Sequence, residues 1–156
     1  MNAAATVAGG AAALPHVDPA LARRLAASGL KPLRLAGRSL LPVVQGGMGV
    51  GVSAHGLAGA VAREGGVGTL SSVDLRRHHP DLMDRTRGLD MGHAAEARRI
   101  IDDANLEALS REVAAARERA GGRGLIAMNV MRAVTAYAAS VKRAMEAGVD
   151  AVVVGA

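Results

Sequence analysis

The strongest chemical signal in the sequence is a glycine-rich segment that follows a short apolar run. Residues 42–51 have the sequence PVVQGGMGVG, with four glycines after the β-branched pair. Glycines at the end of a strand let a planar or anionic ligand approach the backbone, whose amides can donate without side chains in the way. The spacing differs from the dinucleotide-binding fingerprint, and no acidic residue ends the next apolar run to bind a ribose. The segment therefore indicates a ligand-binding turn of another kind, or a tight turn that only requires small residues.

The histidines are the second set of residues that could have a catalytic or metal-binding role. The five histidines are His16, His55, His78, His79 and His93. His78 and His79, with Asp74 and Asp81 nearby, could imitate a set of metal ligands, but adjacent histidines on a polar segment are more often solvated. We therefore predict no metal site and no catalytic role for these histidines. The chain has no cysteine, which excludes disulfides, thiolate metal sites and a cysteine nucleophile.

Hydrophobic periodicity predicts the elements that hold the glycine-rich segment. Near-continuous apolar runs predict strands at residues 41–45, 67–72, 124–131 and 150–156. Apolar residues at helical spacing predict helices at residues 53–66, 105–122 and 135–148. In the first of these helices, Ser53 is expected to be the N-cap, and Leu57 and Val61 are expected to face the sheet. Apolar strands without polar alternation are typical of a parallel sheet covered by helices, so the sequence predicts a repeated βα unit.

The segments that precede the βα units form two parts. Residues 1–17 are predicted to be a disordered leader, without the positive start and long apolar core of a secretion signal. Residues 18–40 are predicted to form a leading helix capped by Asp18, and then a hairpin around the Ala36-Gly37 pair.

The βα units occupy residues 41–156 and include one unusually long connection. Residues 73–104 are rich in Arg, His and Asp and are predicted to be an inserted loop, placed where α/β proteins put substrate contacts. A run of βα units closes either as a doubly wound open sheet or as an eight-stranded barrel of ~250 residues. The chain has 156 residues and about four predicted strands. We therefore expect it to be the amino-terminal part of a larger α/β fold.

The composition of the chain limits the classes of partner that it is expected to bind. The 19 Lys and Arg residues exceed the 14 Asp and Glu residues, but the two signs are interleaved and the chain has a single aromatic residue, so no nucleic-acid binding is predicted. Residues 39–62 carry no formal charge, yet Pro42, Gln45 and the glycines interrupt them, so no membrane span is predicted. Without a targeting segment or cysteine, the protein is expected to be cytoplasmic.

Three motifs occur in order along the predicted βα units. Residues 42–48 are PVVQGGM, residues 57–68 are LAGAVAREGGVG and residues 126–130 are IAMNV. In these motifs the chain resembles the nitronate monooxygenase family, formerly called 2-nitropropane dioxygenases, and the related FMN-dependent enoyl reductases. Family members carry P-[IV]-[IV]-Q-[AG]-[PG]-M, then LA-x-AV-x-x-AGG-[LIV]-G, and then a strand that ends in Asn-[VL]. Glu64 replaces an alanine of the second motif, and the resemblance covers roughly residues 33–156.

The resemblance implies a TIM-type (β/α) barrel, of which this chain would form about four parallel strands and three covering helices. It also implies FMN at the carboxyl ends of the strands and oxidation of alkyl nitronates with molecular oxygen. Gly47, Met48 and Gly49 would lie along the isoalloxazine ring. Asn129 would hydrogen-bond the flavin, since a carboxamide offers both a donor and an acceptor. The catalytic histidine and the phosphate-binding glycines of the family would lie beyond Ala156.

Two other functions remain open at this point. The chain could be part of an FMN-dependent enoyl reductase that uses a reduced nicotinamide cofactor. It could also be a non-catalytic half-barrel remnant that self-associates through exposed strand edges. Without a flavin, Asn129 would cap the loop after its strand and Met48 would fill the core.

Overall fold

The computed structural model describes residues 14, 17–89 and 91–155 of the chain. Of the predicted leader at residues 1–17, all but Leu14 and Val17 lies outside the described residues. Within the described part, the helices are α1 (Pro19–Ser28), α2 (His55–Arg63), α3 (Pro80–Thr86), α4 (Ala94–Ala120) and α5 (Tyr137–Glu146). The strands are β1 (Leu33–Leu35), β2 (Arg38–Leu40), β3 (Val67–Ser71), β4 (Leu125–Met131) and β5 (Ala151–Gly155). Short 3-10 turns cover Leu75–His78 and Met91–His93.

A capped helix and a tight hairpin precede the main sheet. The Asp18 carboxylate accepts a hydrogen bond from the Ala20 N–H at 2.7 Å, which satisfies a donor in the first turn of α1. β1 and β2 are antiparallel, and the turn between them has positive φ at both Ala36 and Gly37. That backbone geometry matches the twist of hairpin strands. The leading helix and the hairpin therefore occupy the segment in which the sequence predicts them.

The main sheet has three parallel strands in sequential order, β3-β4-β5. Thr69 stands opposite Ala127, and Ala127 stands opposite Ala151. α2 precedes β3, α4 lies between β3 and β4, and α5 lies between β4 and β5. The protein is therefore a mixed α/β fold in which helices and parallel strands alternate, as the sequence predicts.

The first of the four predicted strands, residues 41–45, is reduced to a single parallel bridge between Val44 and Val67. Two backbone hydrogen bonds of 2.9 Å join Val67 to the residues on either side of Val44. The next ladder bond does not form, because the Thr69 N–H donates to the side chain of Gln45 at 2.9 Å instead. The expectation of four strands is therefore corrected to three strands and one bridge.

The two faces of the sheet are covered by different elements. On one face, Ile126 and Met128 are buried against α2, α4 and α5. On the other face, Leu125 and Ala127 pack with Leu40 of the hairpin. Alternate residues of a strand point to opposite faces. The hairpin therefore covers the face that the helices leave open, at the end where β4 begins.

The buried face of α2 differs from the prediction. Ala58 and Ala62 are fully buried, whereas Leu57 is 38% exposed. α2 lies so close to β3 that a Cβ at Gly68 would collide with the carbonyl group of Ala58. Because only small residues fit at this distance, the alanines face the sheet and Leu57 does not.

The segment predicted to be an inserted loop, residues 73–104, is largely helical. It contains both 3-10 turns, α3 and the beginning of α4, which starts at Ala94 instead of residue 105. Leu75 and Leu82 are each 1% exposed because they pack into the core cluster that α4 helps to form. The apolar signal of these helices is weak, since the buried positions of early α4 are alanines such as Ala97.

Candidate functional site

The glycine loop, residues 46–52, follows the strand bridge and is closed by Ser53. Ser53 is 1% exposed. Its Oγ accepts a hydrogen bond from the Met48 N–H at 2.8 Å and donates to the Gly46 carbonyl at 3.2 Å. The Ser53 N–H donates to the Met48 carbonyl at 3.1 Å. Ser53 therefore holds the loop and does not cap α2, whose N-cap is Ala54, and this corrects the role predicted for it.

Gln45 fixes the start of the glycine loop. Its Oε1 accepts from the Thr69 N–H of β3 at 2.9 Å. Its Nε2 donates to Ser53 Oγ at 2.9 Å and to the Gly46 carbonyl. Only a carboxamide offers an acceptor and two donors on one side chain. Gln45 is therefore a structural residue of the loop, and both of its polar ends are already occupied.

Alternate glycines of the loop face three different elements. A Cβ at Gly47 would collide with the side chain of Asn129 at the end of β4, and a Cβ at Gly51 would lie 2.9 Å from Nε2 of His78. A Cβ at Gly49 would make an ordinary contact of 3.7 Å with the Cβ of Val73. Gly51 also has φ +86°, which L residues rarely adopt. Close approach therefore requires glycine at positions 47 and 51, whereas a methyl group would fit at position 49.

The residues predicted to contact a flavin lie at one edge of the sheet. Nδ2 of Asn129 donates to the Gly47 carbonyl at 3.2 Å. Met48 follows directly, and its side chain is 55% exposed, so it does not fill the core. Gly49 comes next, beside the carboxyl end of β3. The structure thus brings Gly47, Met48, Gly49 and Asn129 together, and their binding of FMN stays a prediction.

Two buried side-chain oxygens beside the loop lack a hydrogen-bond partner: Oδ1 of Asn129 and Oγ1 of Thr69. Both residues share the sheet face of Ala127. An unsatisfied buried polar group costs about 1–3 kcal/mol, so a ligand that supplies a partner is favoured there. The imide N–H of a flavin ring is a donor that suits Oδ1 of Asn129. Together with the glycines at positions 47 and 49, where no side chain covers the backbone, this acceptor suits the edge of an isoalloxazine ring.

A second polar cluster, which sequence reasoning missed, joins α2, α4 and the residue before α3. Glu112 of α4 is 1% exposed. Its Oε2 accepts from the His55 N–H at 2.7 Å and lies 2.9 Å from His55 Nδ1. Its Oε1 lies 3.2 Å from Nε2 of His79, within ion-pair range but without the alignment of a hydrogen bond. Glu112 therefore caps the first turn of α2 from a neighbouring helix, and no local pattern around it signals this role.

Surface ion pairs join α3 to α4. Arg111 is hydrogen-bonded to Asp81 and Glu107, and Arg85 is hydrogen-bonded to Glu107. The hydrogen bond from Arg111 lowers the pKa of Asp81, and the hydrogen bonds from Arg85 and Arg111 lower the pKa of Glu107. The hydrogen bond to Asp81 raises the pKa of Arg111. Asp81 therefore serves an ion pair, and among the described residues no group of three or more His, Cys, Asp or Glu side chains could hold a metal ion.

No protein-family model matches the chain, and no curated protein matches it. None of the helices within residues 17–89 and 91–155 is long and apolar enough to cross a membrane. A function is therefore inferred from the glycine loop and the side chains around it.

Proposed function

We propose that this chain is the amino-terminal part of an FMN-dependent nitronate monooxygenase, which oxidises alkyl nitronates with molecular oxygen. The contact between Asn129 and Gly47 carries the proposal. It joins two of the three family-like motifs across 82 positions of sequence and leaves Oδ1 of Asn129 buried without a partner. A donor on a bound ring would satisfy that oxygen.

The order of the elements supports a partial TIM-type barrel with about four parallel strands. The bridge at Val44, β3, β4 and β5 are neighbours in sequence order, with a helix between each and the next. That alternation is the pattern of a (β/α) barrel, whose ligands bind at the carboxyl ends of the strands. In a closed barrel, the face that carries Asn129 would be the interior, and the hairpin would cover its amino-terminal end.

The residues of the glycine loop and those around it have different roles in this proposal. FMN, when bound, would supply the redox chemistry between the nitronate and oxygen. Oδ1 of Asn129 would accept a hydrogen bond from the imide edge of the ring, and residues 47–49 would let the ring approach the backbone. Gln45 and Ser53 would hold the loop in place. The catalytic histidine and the phosphate-binding glycines are expected beyond Ala156.

A titration of the ¹⁵N-labelled chain with FMN tests binding at this site. We expect weak binding that shifts the amide signals of Gly47 and Gly49 and the side-chain NH₂ signals of Asn129. Asn129→Ala should abolish the shifts at the two glycines, because it removes both the free acceptor and the contact to the loop. Asn105→Ala, which removes a carboxamide from α4, is the matched control. An Asn129→Ala protein that responds to FMN like the wild type would contradict the proposed site.

Oxygen uptake distinguishes the candidate enzymes. The 156-residue chain is expected neither to retain FMN tightly nor to oxidise nitronates, since a positioned base contributes ~10²–10⁴-fold. A longer protein from the same reading frame should be yellow and should consume oxygen with an alkyl nitronate. Oxidation of a reduced nicotinamide with an enoyl substrate would identify an enoyl reductase instead. A colourless, inactive longer protein would refute both, and a yellow, active short chain would refute the missing-base argument.

Exposed valines on both edges of the sheet favour a second candidate, a non-catalytic half-barrel that pairs with a second copy. Val43 and Val44 are 51% and 60% exposed, and Val153 and Val154 are 47% and 49% exposed. Unpaired strands with apolar side chains are templates for further pairing. Val153→Lys should therefore shift the chain toward a monomer in analytical ultracentrifugation, whereas Leu30→Lys, which changes an exposed leucine between α1 and β1, should not. A monomeric wild-type chain would exclude this candidate.

A further inference from the structure

A groove of about 680 Å³ lies between α2 and α4 and contains unpaired arginines. Arg63 lines it from the end of α2, Arg119 from the last turn of α4 and Arg123 from the segment before β4. Within the described part of the chain, no ion pair or side-chain hydrogen bond is found for these three residues. Arg85 and Arg111, by contrast, pair with acids of neighbouring helices. We call this surface the arginine groove.

Neighbouring residues restrict two of the three arginines of the arginine groove, Arg119 at its stem and Arg123 at its backbone. A Cβ at Gly59 would lie 2.8 Å from the Cβ of Arg119, so glycine at this position admits the Arg119 stem against α2. The guanidinium of Arg38 donates to the carbonyl groups of Arg123 and its two neighbours, which fixes the backbone there. His55 also lines the groove, and its backbone N–H donates to the buried carboxylate of Glu112 in α4. These restraints reduce the entropy that Arg119 and Arg123 lose when a ligand binds.

The charge of the arginine groove selects the class of ligand. Three guanidinium groups face one carboxylate, that of Glu118, so two positive charges remain unbalanced. The carboxyl ends of α2 and α4 contribute about half a negative charge each, which still leaves a net positive charge of about one. Among the described residues that line the groove there is no Phe, Tyr or Trp, and His55 offers the single aromatic ring, so the lining favours a ligand without a nucleobase. The volume lies within the range of about 300–1,000 Å³ that is usual for small-molecule sites.

We infer that the arginine groove binds a compact polyanion of the class of pyrophosphate and sugar bisphosphates. Guanidinium groups bind phosphate oxygens with two parallel hydrogen bonds, which suits this class. A ligand with two or more negative charges can bind more than one of the three guanidinium groups at once. The lining includes none of the residues proposed to contact FMN, so this binding does not depend on the proposed flavin site.

Calorimetric titration of the chain with inorganic pyrophosphate at constant ionic strength tests the inference. The wild type should show saturable one-to-one binding, and the double variant Arg63→Gln/Arg119→Gln should bind about tenfold or more weakly. Arg23→Gln/Arg24→Gln is the matched control, because it removes the same charge from α1. The control should keep the wild-type affinity, and circular dichroism verifies that each variant is folded.

Three results would overturn the inference. The first is a titration without saturable binding. The second is an equal loss of affinity in both double variants, which would show attraction to the overall net charge of +5. The third is a single-stranded oligonucleotide that binds more tightly than pyrophosphate and loses affinity in Arg63→Gln/Arg119→Gln, which would assign the groove to nucleic acid.

Discussion

Replacing Glu112 by alanine is expected to cost about 3–5 kcal/mol of unfolding free energy, because it removes the buried acceptor of two hydrogen bonds from His55. The carboxylate lies 2.7 Å from the His55 backbone nitrogen, 2.9 Å from His55 Nδ1 and 3.2 Å from His79 Nε2. Hydrogen bonds to a charged group contribute about 1.5–3 kcal/mol each, and the poorly aligned contact to His79 contributes less. The desolvation of the carboxylate offsets part of this sum. In the variant, the first N–H of α2 has lost its acceptor.

Urea unfolding followed by far-ultraviolet circular dichroism measures the effect of Glu112→Ala. A loss of this size is a large share of the ~5–15 kcal/mol that is usual for a domain, and it should lower Tm by about 6–20 °C. Glu112→Gln should cost less, because the carboxamide oxygen can still accept from the His55 N–H. Glu118→Ala, an exposed position on the same helix, should change stability by less than about 0.5 kcal/mol. Equal losses in Glu112→Ala and Glu118→Ala would refute the reasoning.

Two further perturbations test the glycine loop and the surface ion pairs. Gly47→Ala should destabilise the chain by about 1–3 kcal/mol and shift the side-chain NMR signals of Asn129, because the new Cβ would collide with that side chain. Gly46→Ala, whose Cβ would meet nothing within 4 Å, is the control, and equal effects of the two would contradict the close approach. Arg111→Gln should reduce the loss of stability in acid. The pKa values of its partners Asp81 and Glu107 are lowered in the folded state. Their contribution to the free energy of unfolding is therefore present above their ordinary pKa values and is lost as the pH falls below about 5. Parallel curves of unfolding free energy against pH for wild type and Arg111→Gln would contradict this.

Features that depend on near neighbours in sequence could be predicted. Asp18 caps α1 because its carboxylate reaches N–H groups of the adjoining turn. The Ala36-Gly37 pair forms the hairpin turn because both residues take the positive φ that the turn requires. Gly47 and Asn129 are far apart in sequence, but they meet because all strands of a parallel sheet end at one edge, where the two residues lie on either side of β3.

Features that depend on distant residues could not be predicted. Ser53 stands where a helix N-cap is expected, but its hydroxyl binds the glycine loop, whose start is held against β3 by the hydrogen bond from the Thr69 N–H to Gln45. Leu57 is the more hydrophobic candidate for the inner face of α2, but the close approach at Gly68 admits only small side chains. The helices within residues 73–104 depend on packing of Leu75 and Leu82 beside α4, which the polar composition of the segment conceals.

The sequence by itself determined that helices alternate with parallel strands and where the glycine loop lies, because periodicity and glycine spacing are local properties of the chain. Only the tertiary structure decided the position of Glu112, whose partners His55 and His79 belong to separate elements. A glutamate has the same helix propensity whether its face is solvated or buried. Packing of α2 and of the segment before α3 against α4 decides between the two, and here it buries the carboxylate between two imidazoles.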